Sequence, residues 1–284
     1  MLRPKNNKTK PRIKHRPFLK WAGGKFRLTD DLNRVFPKRK QCLIEPFVGA
    51  GAVFLNSHFE RYILADINPD LINLFNIVKE NVDAYIEACK PIFFAENANT
   101  AEYYYAQRDA FNQSTDPFVR SGLFLYLNRF GFNGLCRYNS KNEFNVPFGA
   151  YKTHYFPEDE LRYFAHKAQS AVFLCADFQQ TFELADKHSV IYCDPPYAPL
   201  PQDTNFTGYA GNAFSLEHQK NLAECAKKAQ KEKQISVVIS NHDTKFTREI
   251  YKGAKFKRIK VQRSISQSSE KRVKVKELIA IFKG

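Results

Sequence analysis

Ser189-Val190-Ile191-Tyr192-Cys193-Asp194-Pro195-Pro196-Tyr197 is the stretch on which the reading of this chain turns. A short apolar run rich in β-branched residues reads as a buried strand. It stops at an acid, a proline pair and an aromatic. Proline has no N–H for a sheet ladder and pushes the residue before it into an extended conformation. The strand therefore ends at Asp194, at the carboxyl edge of its sheet, where open α/β folds bind ligands. A stiff Pro-Pro unit leaves nearby carbonyls free as acceptors, while Asp194 adds a carboxylate and Tyr197 a ring face. An exocyclic amine on a flat heterocycle suits that set, its N–H groups meeting oxygens while its ring stacks. The plainer alternative is a strand-end turn with a solvated acid and a surface tyrosine. Motifs elsewhere in the chain have to decide between the two.

The chain has 284 residues, enough for one large domain or for a core carrying an inserted module. Lys and Arg outnumber Asp and Glu by 44 to 29, a net charge of +15 that favours a polyanionic partner, most simply nucleic acid. Mean hydropathy is −0.49, and no run approaches a membrane span, so a soluble protein without membrane contact is expected. The six cysteines are scattered and form no C-x-x-C pair, which argues against a disulfide framework or a zinc site and for a reducing, cytoplasmic setting.

Outward from the central stretch, Cys42-Leu43-Ile44-Glu45 reads as a buried strand that enters Pro46-Phe47-Val48-Gly49-Ala50-Gly51 and then a helix over Ala52–Asn56. Glycines at such a turn let a nucleoside approach the backbone, although the dinucleotide fingerprint is incomplete. A second strand, Tyr62 to Asp66, ends in an acid placed to accept from ribose hydroxyls. Together these two features point to an adenosine-type cofactor. Upstream, Phe18-Leu19-Lys20-Trp21-Ala22-Gly23-Gly24-Lys25 lacks the first glycine and the Ser/Thr of a P-loop. It reads instead as a loop that brings backbone and the sole Trp near a ligand.

Residues 1–17 form a basic arm expected to be disordered. From Pro69 to about Phe124 the pattern is helical, with Leu71, Leu74, Phe75 and Val78 assigned to the core. Asn128 to Asn139 mixes Arg, Asn, aromatics and Gly without a helical period and reads as a hairpin or extended loop, reaching Pro147 and Gly149. Arg reads guanine edges, Asn reads adenine, apolar groups sense the thymine methyl, and aromatics wedge between bases. An ordinary Asn/Gly-rich loop would look much the same. Strands are expected at Ala171–Asp177 and Ser236–Asn241, a mobile polar loop after Tyr197, a helix capped by Ser215 and running to about Lys231, and a helix begun by His242-Asp243-Thr244.

Taken in order, Phe18–Lys25, Glu45–Gly51, Ala65–Asn68, Leu127–Gly149 and Asp194–Tyr197 resemble the Dam-type DNA adenine-N6 methyltransferases, from about Phe18 to the C-terminus. The resemblance implies an α/β, Rossmann-like S-adenosylmethionine-dependent methyltransferase sheet with an inserted helical/hairpin DNA-recognition module. Residues 18–68 and 158–284 would form the catalytic domain, and residues 69–157 the target-recognition domain, its hairpin at about 128–152. It implies S-adenosylmethionine as methyl donor, S-adenosylhomocysteine as product, and no metal. The partner would be double-stranded DNA, methylated at the adenine of GATC by a monomer in a bacterial or phage-like cytoplasm.

The expected catalytic residues are Asp194, Pro195, Pro196 and Tyr197, and the expected cofactor-binding set is Trp21, Lys25, Phe47, Gly49, Gly51, Asp66, Asp177 and Asp194. Expected DNA contacts are Lys20, Asn128, Arg129, Phe132, Asn133, Leu135, Arg137, Asn139 and Pro147; Phe132 stands where relatives can carry a wedging Tyr. In this reading the amine nitrogen donates to Asp194 and the Pro195 carbonyl, which turns its lone pair toward the methyl group. The base must first be flipped out of the duplex. N4-cytosine or RNA N6-adenine methylation would use a similar pocket, and a catalytically dead DNA-binding relative would keep the fold.

Overall fold

A computed structural model describes residues 13–199, 214–262 and 274–284. The first twelve residues of the basic arm and most of the polar loop after Tyr197 lie outside the described residues. The seven strands are β1 (Cys42–Glu45), β2 (Arg61–Asp66), β3 (Ala171–Cys175), β4 (Ser189–Cys193), β5 (Ser236–His242), β6 (Lys255–Gln262) and β7 (Lys274–Phe282). They form one sheet in the order β3-β2-β1-β4-β5-β7-β6, with β7 antiparallel to both its neighbours and the other ladders parallel. This is the doubly wound α/β architecture expected from the sequence.

Every residue of β1, β4 and β5 is buried, as parallel strands covered on both faces require. Alternation along them feeds two cores. Leu43, Val190, Tyr192 and Val238 join a large aromatic cluster with Phe54, Phe75 and Phe164, whereas Cys42, Ile44, Ile191 and Cys193 pack with Phe178, Leu222 and Tyr251. β1 lies beside β4 with Ile44 opposite Ile191, so the glycine turn and Asp194 leave the sheet side by side. The strand order reverses at this pair, and the crevice there is the position at which such sheets take ligands.

The helices are α1 (Thr29–Asn33), α2 (Ala52–Asn56), α3 (Pro69–Glu80), α4 (Val82–Phe93), α5 (Ala101–Gln113), α6 (Pro117–Phe130), α7 (Glu158–Ala168), α8 (Phe178–Glu183), α9 (Leu216–Lys233) and α10 (Lys245–Ile250). No helix among the described residues is long and apolar enough to cross a membrane. The assigned core residues Leu71, Leu74, Phe75 and Val78 of α3 are all fully buried.

Two expectations are corrected. Asn128 and Arg129 belong to α6 and not to a hairpin. That helix is buried without a break from Ser121 to Asn128, and a helix apolar on all sides shows no amphipathic period to read. The segment that follows, to residue 152, is an irregular loop tied by two isolated antiparallel bridges, Gly131–Phe148 and Tyr138–Phe144. His242 closes β5, and α10 begins only after Thr244, whose side chain caps it.

Asp70, in the first turn of α3, joins the helical segment to this loop. Its carboxylate receives both Nε and Nη2 of Arg120 at 3.0 Å and the Tyr138 hydroxyl at 2.7 Å. Arg120 also donates to the Phe111 and Ser114 carbonyls and lies over the Phe111 ring. Asp70→Ala strands a half-buried guanidinium and is expected to cost about 2–3 kcal/mol, discounted from a fully buried pair. Urea unfolding of the two proteins, with equal m-values, measures it.

Candidate functional site

The turn after β1 is held open by its neighbour strand. Val48 N–H donates to the Ala65 carbonyl at 2.9 Å, and Gly49 N–H to Asp66 Oδ2 at 3.1 Å. Asp66 Oδ1 takes the Asn68 N–H at 3.1 Å. Burial raises the Asp66 carboxyl above its usual range, opposed by the Asn68, Gly49 and Ile67 backbone N–H groups. Gly49 sits at φ +47°, and a Cβ there would come within 2.7 Å of Trp21 Nε1. Bare backbone, an indole wall and an acid at the end of β2 thus converge. Phe47 extends this wall by stacking on Phe178, ring centroids 5.8 Å apart. Asp177 is exposed, and its Oδ1 caps α8 through the Gln179 N–H. Gly51, at φ +74°, starts α2.

Beside this cradle, Lys25 is brought onto Asp194 from the loop before β1. Its Nζ lies 2.9 Å from Asp194 Oδ1, 2.6 Å from the Gly23 carbonyl and 4.7 Å from the centre of the Tyr197 ring. The approach to Oδ1 is that of an ion pair and not an aligned hydrogen bond, so this buried oxygen keeps acceptor capacity. Burial raises the Asp194 carboxyl, and the Lys25 charge offsets part of that. Tyr197 is fixed from its far end, its hydroxyl donating to Glu277 of β7 at 3.1 Å and its ring meeting His242 edge-on. Pro195 is buried and Pro196 exposed. Glu45, at the end of β1, is 2% exposed and has one carboxylate oxygen without a partner among the described residues. Burial, with the Asp194 charge adding to it, pushes its carboxyl well above the usual range.

A second group stands where α6 ends. Lys20 is clipped at its backbone by Asn128, whose side chain accepts from the Lys20 N–H and donates to its carbonyl, both at 2.8 Å. Gly134, at φ +60°, leaves room for the Lys20 side chain; a Cβ there would overlap the Lys20 Cβ. Lys20 Nζ then donates to the Arg129 carbonyl at 2.7 Å and lies 3.7 Å above the Tyr151 ring. Burial, with Arg129 nearby, lowers its pKa to about 8. Arg137 is exposed, its Nε donating to Asn145 Oδ1 at 2.7 Å. Phe132 is 43% exposed, and Asn133 and Pro147 are exposed beside it. Leu135 and Asn139 are half-buried, the latter's side chain turned on Glu143.

The expected residues fall into two groups: Trp21, Lys25, Phe47, Gly49, Gly51, Asp66, Asp194, Pro195, Pro196 and Tyr197 around the ends of β1, β2 and β4, and Lys20, Arg129, Phe132, Asn133, Leu135, Arg137, Asn139 and Pro147 at and after the end of α6. Asn128 is 1% exposed with its amide spent on Lys20, so it positions Lys20. Glu45 ends an apolar strand, and nothing local in the sequence marks it as a site residue. Tyr151 and Glu277 gave no signal, because each acts through a partner distant in the chain.

Residues 21–265 match the family described as D12 class N6 adenine-specific DNA methyltransferase. The chain is 82% identical over 282 residues to the DNA adenine methylase of Haemophilus influenzae, covering 99% of each chain. It is 58% identical over 269 residues to that of Vibrio cholerae and 58% over 270 residues to that of Escherichia coli, each time covering 95% of this chain and 96% of the relative.

Gly49→Ala combines a positive φ with a clash against the indole and is expected to cost about 1–3 kcal/mol. Because Trp21 is the single Trp of the chain, its displacement is read directly as a red shift of tryptophan emission in the folded variant.

Proposed function

The chain belongs to the D12 class of N6 adenine-specific DNA methyltransferases, and from that premise we propose that it methylates the adenine of GATC in duplex DNA from S-adenosylmethionine, with the base flipped against Asp194–Tyr197. The observation that carries the reading is the Lys25–Asp194–Tyr197 arrangement beside the Gly49 cradle. The cradle suits the donor: bare backbone at Gly49, the Trp21 wall and the Asp66 carboxylate match an adenosine group, and Lys25 and Asp194 match an amino-acid end. When bound, S-adenosylmethionine supplies an electrophilic methyl group.

The remaining chemistry belongs to the chain. Asp194 accepts one N–H of the adenine amine and the Pro195 carbonyl the other, which draws the nitrogen lone pair out of conjugation. Tyr197 stacks on the base and offsets part of its lost stacking; its tie to Glu277 keeps the ring from turning. The Lys25 charge offsets part of the burial that raises the Asp194 carboxyl, which favours the carboxylate as an acceptor. The arrangement supplies positioning and electrostatics.

Residues 69–157 serve as the target-recognition unit in this reading, and 18–68 with 158–284 as the catalytic one. Lys20, Arg137, Leu135 and Pro147 face base edges, Arg129, Asn133 and Asn139 support them or meet phosphates, and Phe132 enters the stack. The net charge of +15 supplies sequence-independent affinity that weakens with salt.

Two measurements test this. Labelled methyl from S-adenosylmethionine should enter a duplex containing GATC and not one with its adenine replaced, and Asp194→Ala should abolish transfer. Label in both duplexes discards the recognition assignment, and label in neither discards the activity. Arg137→Ala should lose about 1–3 kcal/mol of discrimination at one guanine, read as kcat/KM on cognate against singly substituted sites. Equal losses on both kinds of site would remove Arg137 from base readout.

A further inference from the structure

Tyr197 is bracketed by hydrogen bonds from its flanking peptides to two buried amide side chains. Gln219, inside α9, donates through Nε2 to the Pro196 carbonyl at 2.6 Å. Asn241, near the end of β5, accepts the Ala198 N–H at Oδ1 at 3.0 Å. Both residues are 0% exposed. The amides also hold each other, since Asn241 Nδ2 donates to Gln219 Oε1 at 2.9 Å and to the buried Tyr251 hydroxyl at 3.0 Å. Asn241 Oδ1 takes the His242 N–H as well, at 2.9 Å. Flipping either amide would set oxygen against oxygen, so the network admits one orientation. Apolar side chains would pack α9 on β5 as well, whereas these two spend their polar atoms on the loop.

We infer that Gln219 and Asn241 are positioning residues for methyl transfer, a proposal that rests on reading Asp194–Tyr197 as the adenine site. They fix the peptide planes on either side of Tyr197. The Pro196 carbonyl is turned onto Gln219 and withdrawn from the pocket, which leaves the Pro195 carbonyl to join Asp194 as acceptor of the amine. The Tyr197 ring rides on the same two peptides, so its plane is set with them. His242 Nδ1, 2.7 Å from the Ala198 carbonyl, adds a third tie to the segment.

Gln219→Met keeps the side-chain volume and removes both the donor to Pro196 and the acceptor for Asn241 Nδ2, so both halves of the clamp are loosened. The full-length variant is compared with wild type in methyl transfer to GATC duplex, with Asp194→Ala alongside. The expected result is a fall in kcat of about 100-fold, as for a misplacement of about 1 Å in a catalytic constellation. KM for S-adenosylmethionine and the Kd for duplex should stay near their wild-type values, because both lost contacts act through the peptides flanking Tyr197 and touch neither ligand. An unchanged kcat in a folded variant overturns the proposal, and so does a loss spread equally over kcat, KM and Kd. Amide hydrogen exchange in the wild-type protein decides independently of how the variant folds: protection of the Ala198 N–H at the level of the sheet core supports the clamp, and fast exchange overturns it. No transfer by wild type, or retained transfer by Asp194→Ala, would sink the functional reading itself, which separates the two failures.

Discussion

The ion pair of Lys25 with Asp194 closes the site by joining the loop before β1 to the end of β4. Neither half stands alone. Asp194 is carried to the crevice by a fully buried strand, where burial favours its neutral form, and the Lys25 charge opposes that tendency. Lys25 is itself 6% exposed, so it too requires a partner there. The pair therefore fixes how the Phe18–Lys25 loop lies over the strand ends. With that loop come Trp21, against Gly49, and Lys20, against the end of α6. The ion pair, the buried Phe18 and the Asn128 clip on Lys20 thus hold one loop at three points.

The crevice gathers carboxyl groups to a degree that water would not tolerate at neutral cost. Glu45, Asp66 and Asp194 all sit at strand ends, each raised by burial. They are offset unequally. Asp66 is held by backbone N–H groups, Asp194 by an ammonium, and Glu45 has an oxygen with no described partner.

The segment that follows α6 is organised differently from the sheet. It has almost no ladder of its own and is held from outside, by Asn128 on the Gly134 carbonyl, by Asn112 on the Phe144 backbone, by Tyr104 on the Val146 carbonyl and by Asp70 on the Tyr138 hydroxyl. Exposed Arg137, Phe132 and Pro147 are therefore presented by a loop whose anchors lie on three helices, α3, α5 and α6. A loop so anchored can vary at its contact positions without disturbing the core.

The strands, the glycine turn and the acid before two prolines were legible in the sequence because each rests on local rules: β-branched apolar runs, the conformational limits of proline, and the freedom of glycine at positive φ. The helices over residues 69–124 were legible for the same reason, through periodicity. The end of α6 was not, since burial on all sides erases the period, and Asn128 looked like a ligand contact when its amide is spent on Lys20. Gln219 inside a Lys-rich helix and Asn241 inside an apolar strand carried no signal, nor did Glu277 or Tyr151. The sequence by itself determined the sheet, the order of its motifs and the chemical types at the crevice, because these follow from neighbours along the chain. Only the tertiary structure decided which polar atoms are already satisfied, because a buried hydrogen bond is completed by a partner from a distant element, and sequence order does not say which partner that is.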